Sequence, residues 1–185
     1  ENGLAVDAVG ISDNGNQVRK AVMRFKAALF HFIVIFATAF SATVVTAQER
    51  TWQLVGLGDS LMAGYQLPPT DSYTAQLEAA LKGKGVNVAI ANAGVSGDTS
   101  SGGLARAEWS VPDRTDGVIL ELGANDALRG IPPEQTEKNL DTIISGFQKR
   151  NIAVLLVGIM APPNMGEDYA KRFNPIFPKL AEKYN

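Results

Sequence analysis

From residue 53 onward the chain alternates short apolar runs with stretches of helical spacing, and this alternation constrains its fold more than any other feature. Residues 53–57 form a short apolar run with glycine at its far end, the pattern of a buried strand. Residues 72–82 place Tyr73, Leu77, Ala80 and Leu81 at helical spacing, with Ser72 as N-cap and Gly83 as stop. Residues 86–91 predict a second strand, followed by a loop at Asn92, Ala93 and Gly94. A short helix is expected over 99–107 and a third strand over 117–122, ending at Gly123. Residues 133–150 predict a long helix, with proline in its first turn and Leu140, Ile143, Ile144 and Phe147 on one face. A fourth strand is expected over 152–159, continuous enough in its apolar character to be buried on both faces. Residues 169–184 are mostly helical, with Pro175 and Pro178 kinking or interrupting the run. The order predicts an α/β fold with a parallel sheet and helices on both faces. Right-handed crossovers carry every strand's C-terminal end to one edge, where open α/β sheets place their sites. After the last helix a further strand is expected next. No repeat, low-complexity tract or second domain is visible.

Three polar clusters stand just behind three of the predicted strands. They are Gly58-Asp59-Ser60, Ser96-Gly97-Asp98 and Gly123-Ala124-Asn125-Asp126. The strand-end rule makes them converge, and each contains glycine, which permits unusual backbone angles and close approach of a ligand. Acyl transfer needs a nucleophile and donors aimed at a developing oxyanion. Ser60 could supply the hydroxyl. The backbone N–H groups of Ser60 and Gly97 and the side-chain amide of Asn125 could form the oxyanion hole. Asparagine suits that task because its amide donates without carrying charge. Taken singly, Ser60 reads as a helix N-cap, Gly97 as a turn residue and Asn125 as a cap or turn residue. Asp59, Asp98 and Asp126 could alternatively supply oxygen ligands to a cation, and spacing alone does not exclude this. The Gly56-Leu57-Gly58 pair is a poor dinucleotide fingerprint, because its third glycine position is Leu61. The serine elbow G-x-S-x-G is also missed, since Met62 stands at its last position.

Composition narrows the chemistry further. The 185 residues include no cysteine, which excludes a disulfide framework, a thiolate zinc site and a cysteine nucleophile. The formal net charge is −2 and no basic cluster is present, so nucleic-acid binding has no electrostatic footprint. The one histidine is His31. It lies in an almost uninterrupted apolar run, residues 27–45, that follows Met23-Arg24-Phe25-Lys26 and leads to Val45-Thr46-Ala47. A basic start, an apolar middle and a small-residue end make residues 23–47 a signal peptide, cut after Ala47. A buried helix or a retained membrane anchor are the alternatives. Membrane contact is expected only through this segment, if it stays uncleaved, and the protein is expected to be periplasmic or secreted. Residues 1–22 are polar and aperiodic ahead of Met23, and they read as an upstream, non-native segment. Removal of the signal segment would leave residues 48–185 without histidine.

The three clusters resemble the blocks of the GDSL/SGNH hydrolases, in order and in spacing. Gly58-Asp59-Ser60-Leu61 resembles the first block, Gly97 in "NAGVSGDTSSGGLAR" the second, and Gly123-Ala124-Asn125-Asp126 the third. The segments "GDSLMAGYQLP", "SGDTSSGGLAR", "ELGANDALRGIPPEQTEKNL" and "MAPPNMGEDYAKRFNPIFPKLAEKY" are similar to the bacterial arylesterase and multifunctional thioesterase/lysophospholipase subgroup. The likeness covers residues 53–185. It implies a flavodoxin-like, three-layer fold with a five-stranded parallel sheet. It also implies that Ser60 attacks an ester carbonyl while Ser60, Gly97 and Asn125 donate to the oxyanion. No metal or organic cofactor is implied, and the partner is a small-molecule acyl ester. The loop 161–168 resembles the segment that lines the acyl site. The family's fourth block, Asp-x-x-His, is not in the sequence. Residues 48–185 are therefore expected to be an SGNH hydrolase domain incomplete at its C-terminus, lacking the last strand and helix and hydrolysing esters poorly by itself. The rival expectations are a carbohydrate-ester deacetylase of the same fold and a non-enzymatic cation-binding protein.

Overall fold

The sheet is built around β1 (Trp52–Gly58), whose last four residues are buried. The structure is a computed structural model and describes Lys20 and residues 50–184. The chain divides into two units, Glu1–Gln48 and Glu49–Asn185, and every element named here belongs to the second. The expected upstream segment (apart from Lys20), the signal segment 23–47 and His31 lie outside the described residues.

Four strands form one parallel sheet in the order β2-β1-β3-β4, with β2 at Val88–Gly94, β3 at Gly117–Glu121 and β4 at Ala153–Leu156. Seven helices join and flank them among the described residues. These are α1 (Ser60–Ala63), α2 (Tyr73–Gly83), α3 (Ser100–Ser110), α4 (Ala124–Leu128), α5 (Pro133–Lys149), α6 (Glu167–Phe173) and α7 (Ile176–Lys183). Short 3₁₀ turns stand at Pro69–Asp71 and Pro163–Met165. The β1–β2 connection runs outward in the sheet, whereas the β2–β3 connection crosses back over β1. Right-handed crossovers in opposite directions put α2 on one face and α3 and α5 on the other, and α3 and α5 pack on each other. This is the α/β architecture expected from the alternation.

The core lies between the sheet and the α3–α5 layer. Val55, Leu57, Val118, Leu120 and Leu122 are buried against Leu140, Ile143, Ile144 and Phe147 of α5 and Phe173, Ile176 and Leu180 of α6 and α7. Each such side chain contributes about 1.5–3 kcal/mol by leaving water. Thr136 and Asn139 share the inward stripe of α5, at the same three- and four-residue spacing as the apolar positions, and both are buried.

Three expectations are corrected. Residues 92–94 belong to β2 and are not a loop, because the ladder to β1 runs as far as Gly58 opposite Gly94. β4 is not buried on both faces: its burial alternates, and Leu155 is 59% exposed. Among the described residues it is the last strand of the sheet, and no described helix covers the face that Ala153 and Leu155 share. Pro175 does interrupt the last helix, dividing α6 from α7, but Pro178 sits in the first turn of α7, where its missing N–H has no intrahelical partner to lose.

Candidate active site

The first cluster shows which residue caps α1. Asp59, not Ser60, caps α1: its Oδ1 accepts the Leu61 N–H at 3.0 Å, and the residue is fully buried. Ser60 is the first residue of the helix and is half-buried. Among the described residues its hydroxyl makes no hydrogen bond. Its backbone N–H is one of the orphan donors that a helix start leaves open. The turn thus seals an acid inside and leaves the hydroxyl and the N–H of a half-buried residue without a partner among the described residues.

The second cluster is a turn at the end of β2. Val95 N–H donates to Gly58 O at 3.0 Å, and Asp98 N–H to Val95 O at 3.1 Å. These bonds tie the turn to the end of β1. Gly97 has φ of 86°, a left-handed angle that residues with a side chain rarely adopt. Its carbonyl accepts from Arg129 Nη2 at 2.8 Å, and its own N–H, which belongs to the preceding peptide, has no acceptor among the described residues.

The third cluster begins α4. Asn125 is half-buried, and its Nδ2 donates to Asp59 Oδ2 at 3.0 Å and to Asp98 O at 2.9 Å. One side chain therefore joins all three clusters, and the strand-end convergence expected from the sequence is realised. Both amide hydrogens are engaged inside the protein, whereas the expectation was an amide aimed at substrate. An oxyanion would have to take the place of one acceptor. The neutral Asp98 carbonyl holds its hydrogen less strongly than the Asp59 carboxylate does.

A layer of buried polar groups, invisible to the sequence reading, holds these turns. Arg106 of α3 donates from Nε to Asp98 Oδ2 at 2.6 Å, from Nη1 to Ala93 O at 2.7 Å and from Nη2 to Gly58 O at 2.8 Å. It clamps the ends of β1 and β2 to the Gly97 turn. Asp126 accepts the Ser100 N–H at 2.7 Å and the hydroxyls of Ser100 and Thr136, while Asn139 Nδ2 donates to Ser100 Oγ at 2.9 Å. This second network fastens α4 to the start of α3 and to α5. Charged groups in a well-paired buried network are costly to remove singly. Thr136 and Asn139 fall at helical spacing with the apolar positions of α5, the one place where the sequence pattern touches this layer.

The acids weighed as cation ligands are committed elsewhere. Asp59 accepts from Leu61 and Asn125, Asp98 from Arg106, and Asp126 from Ser100 and Thr136. No group of three potential ligands that could hold a metal ion occurs among the described residues.

Glu121, the last residue of β3, was also missed. It is 5% exposed and its Oε2 accepts the Asp59 N–H at 3.3 Å. Burial pushes its carboxyl up to about 7, and the negative charge of Asp59 adds to the shift.

Comparison with known proteins places this geometry in context. The sequence model of the GDSL-like lipase/acylhydrolase family matches residues 57–185. An arylesterase of Vibrio mimicus is 43% identical over 137 residues, covering 74% of this chain and 68% of the relative. The thioesterase 1/protease 1/lysophospholipase L1 of Escherichia coli K12 is 39% identical over 133 residues, covering 71% of this chain and 62% of the relative. Among solved structures, the SGNH-hydrolase family esterase AlinE4 superposes with a TM-score of 0.70 at 47% identity, with 73% of each chain covered.

Proposed function

This chain belongs to the GDSL-like lipase/acylhydrolase family, a family of ester hydrolases, and from that premise we propose that Ser60 is its nucleophile. The observation that carries the proposal is the half-buried Ser60, whose hydroxyl has no partner among the described residues, on a turn that Asn125 ties to the Gly97 loop. Ser60 Oγ attacks the ester carbonyl as a base takes its proton, the carbonyl oxygen becomes an oxyanion, and its collapse expels the alcohol or thiol, which receives that proton, leaving an acyl-Ser60. Water then gives a proton to the base, attacks the acyl group and releases the acid, and the proton returns to Ser60 Oγ. The N–H groups of Ser60 and Gly97 and the amide of Asn125 stabilise the oxyanion, the amide releasing the Asp98 carbonyl as it turns to the substrate. Such donors supply much of the barrier lowering in acyl transfer.

A base completes this chemistry. His31 is the only imidazole in the sequence and lies outside the described residues, and no described residue stands as base to Ser60. In the absence of an activating base, residual catalysis comes from the oxyanion donors and binding.

Short- to medium-chain acyl and aryl esters are the substrate class favoured here, with thioesters and lysophospholipids as neighbouring chemistries. Leu61 beside Ser60, Val95 beside the Gly97 turn and Leu128 at the end of α4 are exposed and apolar, suited to an acyl or aryl group rather than to a sugar ester. The 161–168 loop approaches the same end of the fold: Met165 Cε lies 3.8 Å from where a Cβ on Gly130 would stand. A fluorophosphonate probe tests the proposal. It labels Ser60, fails on Ser60→Ala, and labels Asn125→Ala about a hundredfold more slowly. Retention of esterase activity in a folded Ser60→Ala would refute the assignment.

Export is part of the same reading, supported by the order of residues 23–47. Expression with that segment in a bacterial host is expected to yield a periplasmic or secreted product starting at Gln48. A cytoplasmic product that retains Met23 would contradict it.

A further inference from the structure

Glu121 ends β3 directly opposite Gly58 of β1, the last residue before the Asp59–Ser60 turn. A Cβ on Gly58 would stand 2.7 Å from Glu121 Oε2, so the missing side chain there lets the carboxyl reach beneath the turn. Oε2 takes the Asp59 N–H at 3.3 Å. Oε1 is sealed from solvent and has no partner. A buried carboxylate oxygen without a donor is costly, whereas a carboxylic acid carries a proton of its own. The Asp59 carboxylate is within interaction range. It already accepts from the Leu61 N–H and the Asn125 amide.

The other charged groups at this strand end do not neutralise Glu121. Arg106 from α3 commits its donors to Asp98, Ala93 O and Gly58 O. Asp126 from α4 is held by Ser100 and Thr136. Neither α1 nor β4 contains a titratable residue, and the α2 carboxylate Glu78 is taken by Lys82 and the Ile90 N–H.

We infer that Glu121 is a positioning residue that works as the neutral acid, holding the Asp59 peptide while leaving the Asp59 carboxylate to anchor Asn125 and cap α1. Its ionisation sets two carboxylates against each other in a buried space. Asp59 is displaced, and with it the Asn125 amide and the peptide that carries Ser60. Glu121 never touches substrate. The role rests on the assignment of Ser60 and Asn125 given above, while the titration itself does not. The value near 7 places the transition in the neutral range.

The experiment has two readouts. In ¹⁵N-labelled protein, the amides of Asp59, Ser60 and Leu61 and the Asn125 side-chain NH₂ are followed with pH. A shared transition near neutrality is expected in the wild type and is absent from Glu121→Gln, which keeps the shape and remains neutral. The second readout is the rate of fluorophosphonate labelling of Ser60. The rate of Glu121→Gln relative to wild type is expected to rise about tenfold from pH 6 to pH 8, as the wild type loses its proton. Glu121→Ala, which removes the hold on Asp59, is slow at both pH values. A flat ratio with no shared amide transition would overturn the inference, as would a Glu121→Gln as slow as Glu121→Ala. If no variant is labelled at Ser60, the nucleophile assignment fails and the amide transition alone decides for or against Glu121.

Discussion

Asp59 and Ser60 are chain neighbours with opposite surroundings. One turn buries a carboxylate among donors and keeps the next residue's hydroxyl half-buried and unpaired among the described residues. The division follows from local geometry: the residue before a helix can bend its side chain back onto the first turn, and the first helical residue cannot. Glu121 beneath them makes stability depend on pH. Its folded-state value is raised from 4.5 to about 7, so between those values the folded protein holds a proton that the unfolded chain has released. Stability from this group is complete below pH 4.5 and is lost as pH rises through about 7, roughly 3 kcal/mol in all. Urea unfolding at pH 5 and pH 8 measures it: the drop in the wild type is expected to be absent in Glu121→Gln. Equal drops in both would show that another group is responsible. Ser60, Gly97 and Asn125 could be singled out in the sequence because each follows a strand by two to four residues. Glu121 and Arg106 were not, because their partners are Asp59 and Gly58, brought to them only by the parallel ladder and by the crossover of α3.

At the scale of elements, α2, α3 and α5 were readable from spacing and caps. Ser72 and Thr99 cap as their positions suggest, accepting from Ala75 and Gly102. The short helices α1 and α4 were not, since four or five residues carry no periodicity to read. β4 was misjudged because an apolar run records what a strand tolerates on its faces, not which neighbours are present. Its exposed Leu155 belongs to what is, among the described residues, an edge strand, a surface that favours pairing with another chain. Leu155→Thr is expected to change unfolding free energy by no more than about 0.5 kcal/mol. It is also expected to lower light scattering from concentrated solutions of this chain. A loss of several kcal/mol would show that Leu155 is covered in solution.

Over the whole molecule, the parallel sheet turns three separated clusters into one site. Alternation of strands and helices predicted that convergence before any contact was known, and Asn125, bonded to both other clusters, bears it out. Family membership agrees with the architecture and with the order of the blocks. The polar layer beneath the site is a tertiary property, assembled from β1, β2, β3, α3, α4 and α5, and no single segment announces it.

The central claim is that Ser60 is a nucleophile. Its most direct test is the mass of the tryptic peptide that runs from Thr51 to Lys82 after exposure of the folded protein to a fluorophosphonate. The predicted result is one phosphonyl adduct on Ser60, blocked by prior denaturation and absent from Ser60→Ala. An unmodified peptide from folded protein that still hydrolyses esters would contradict it.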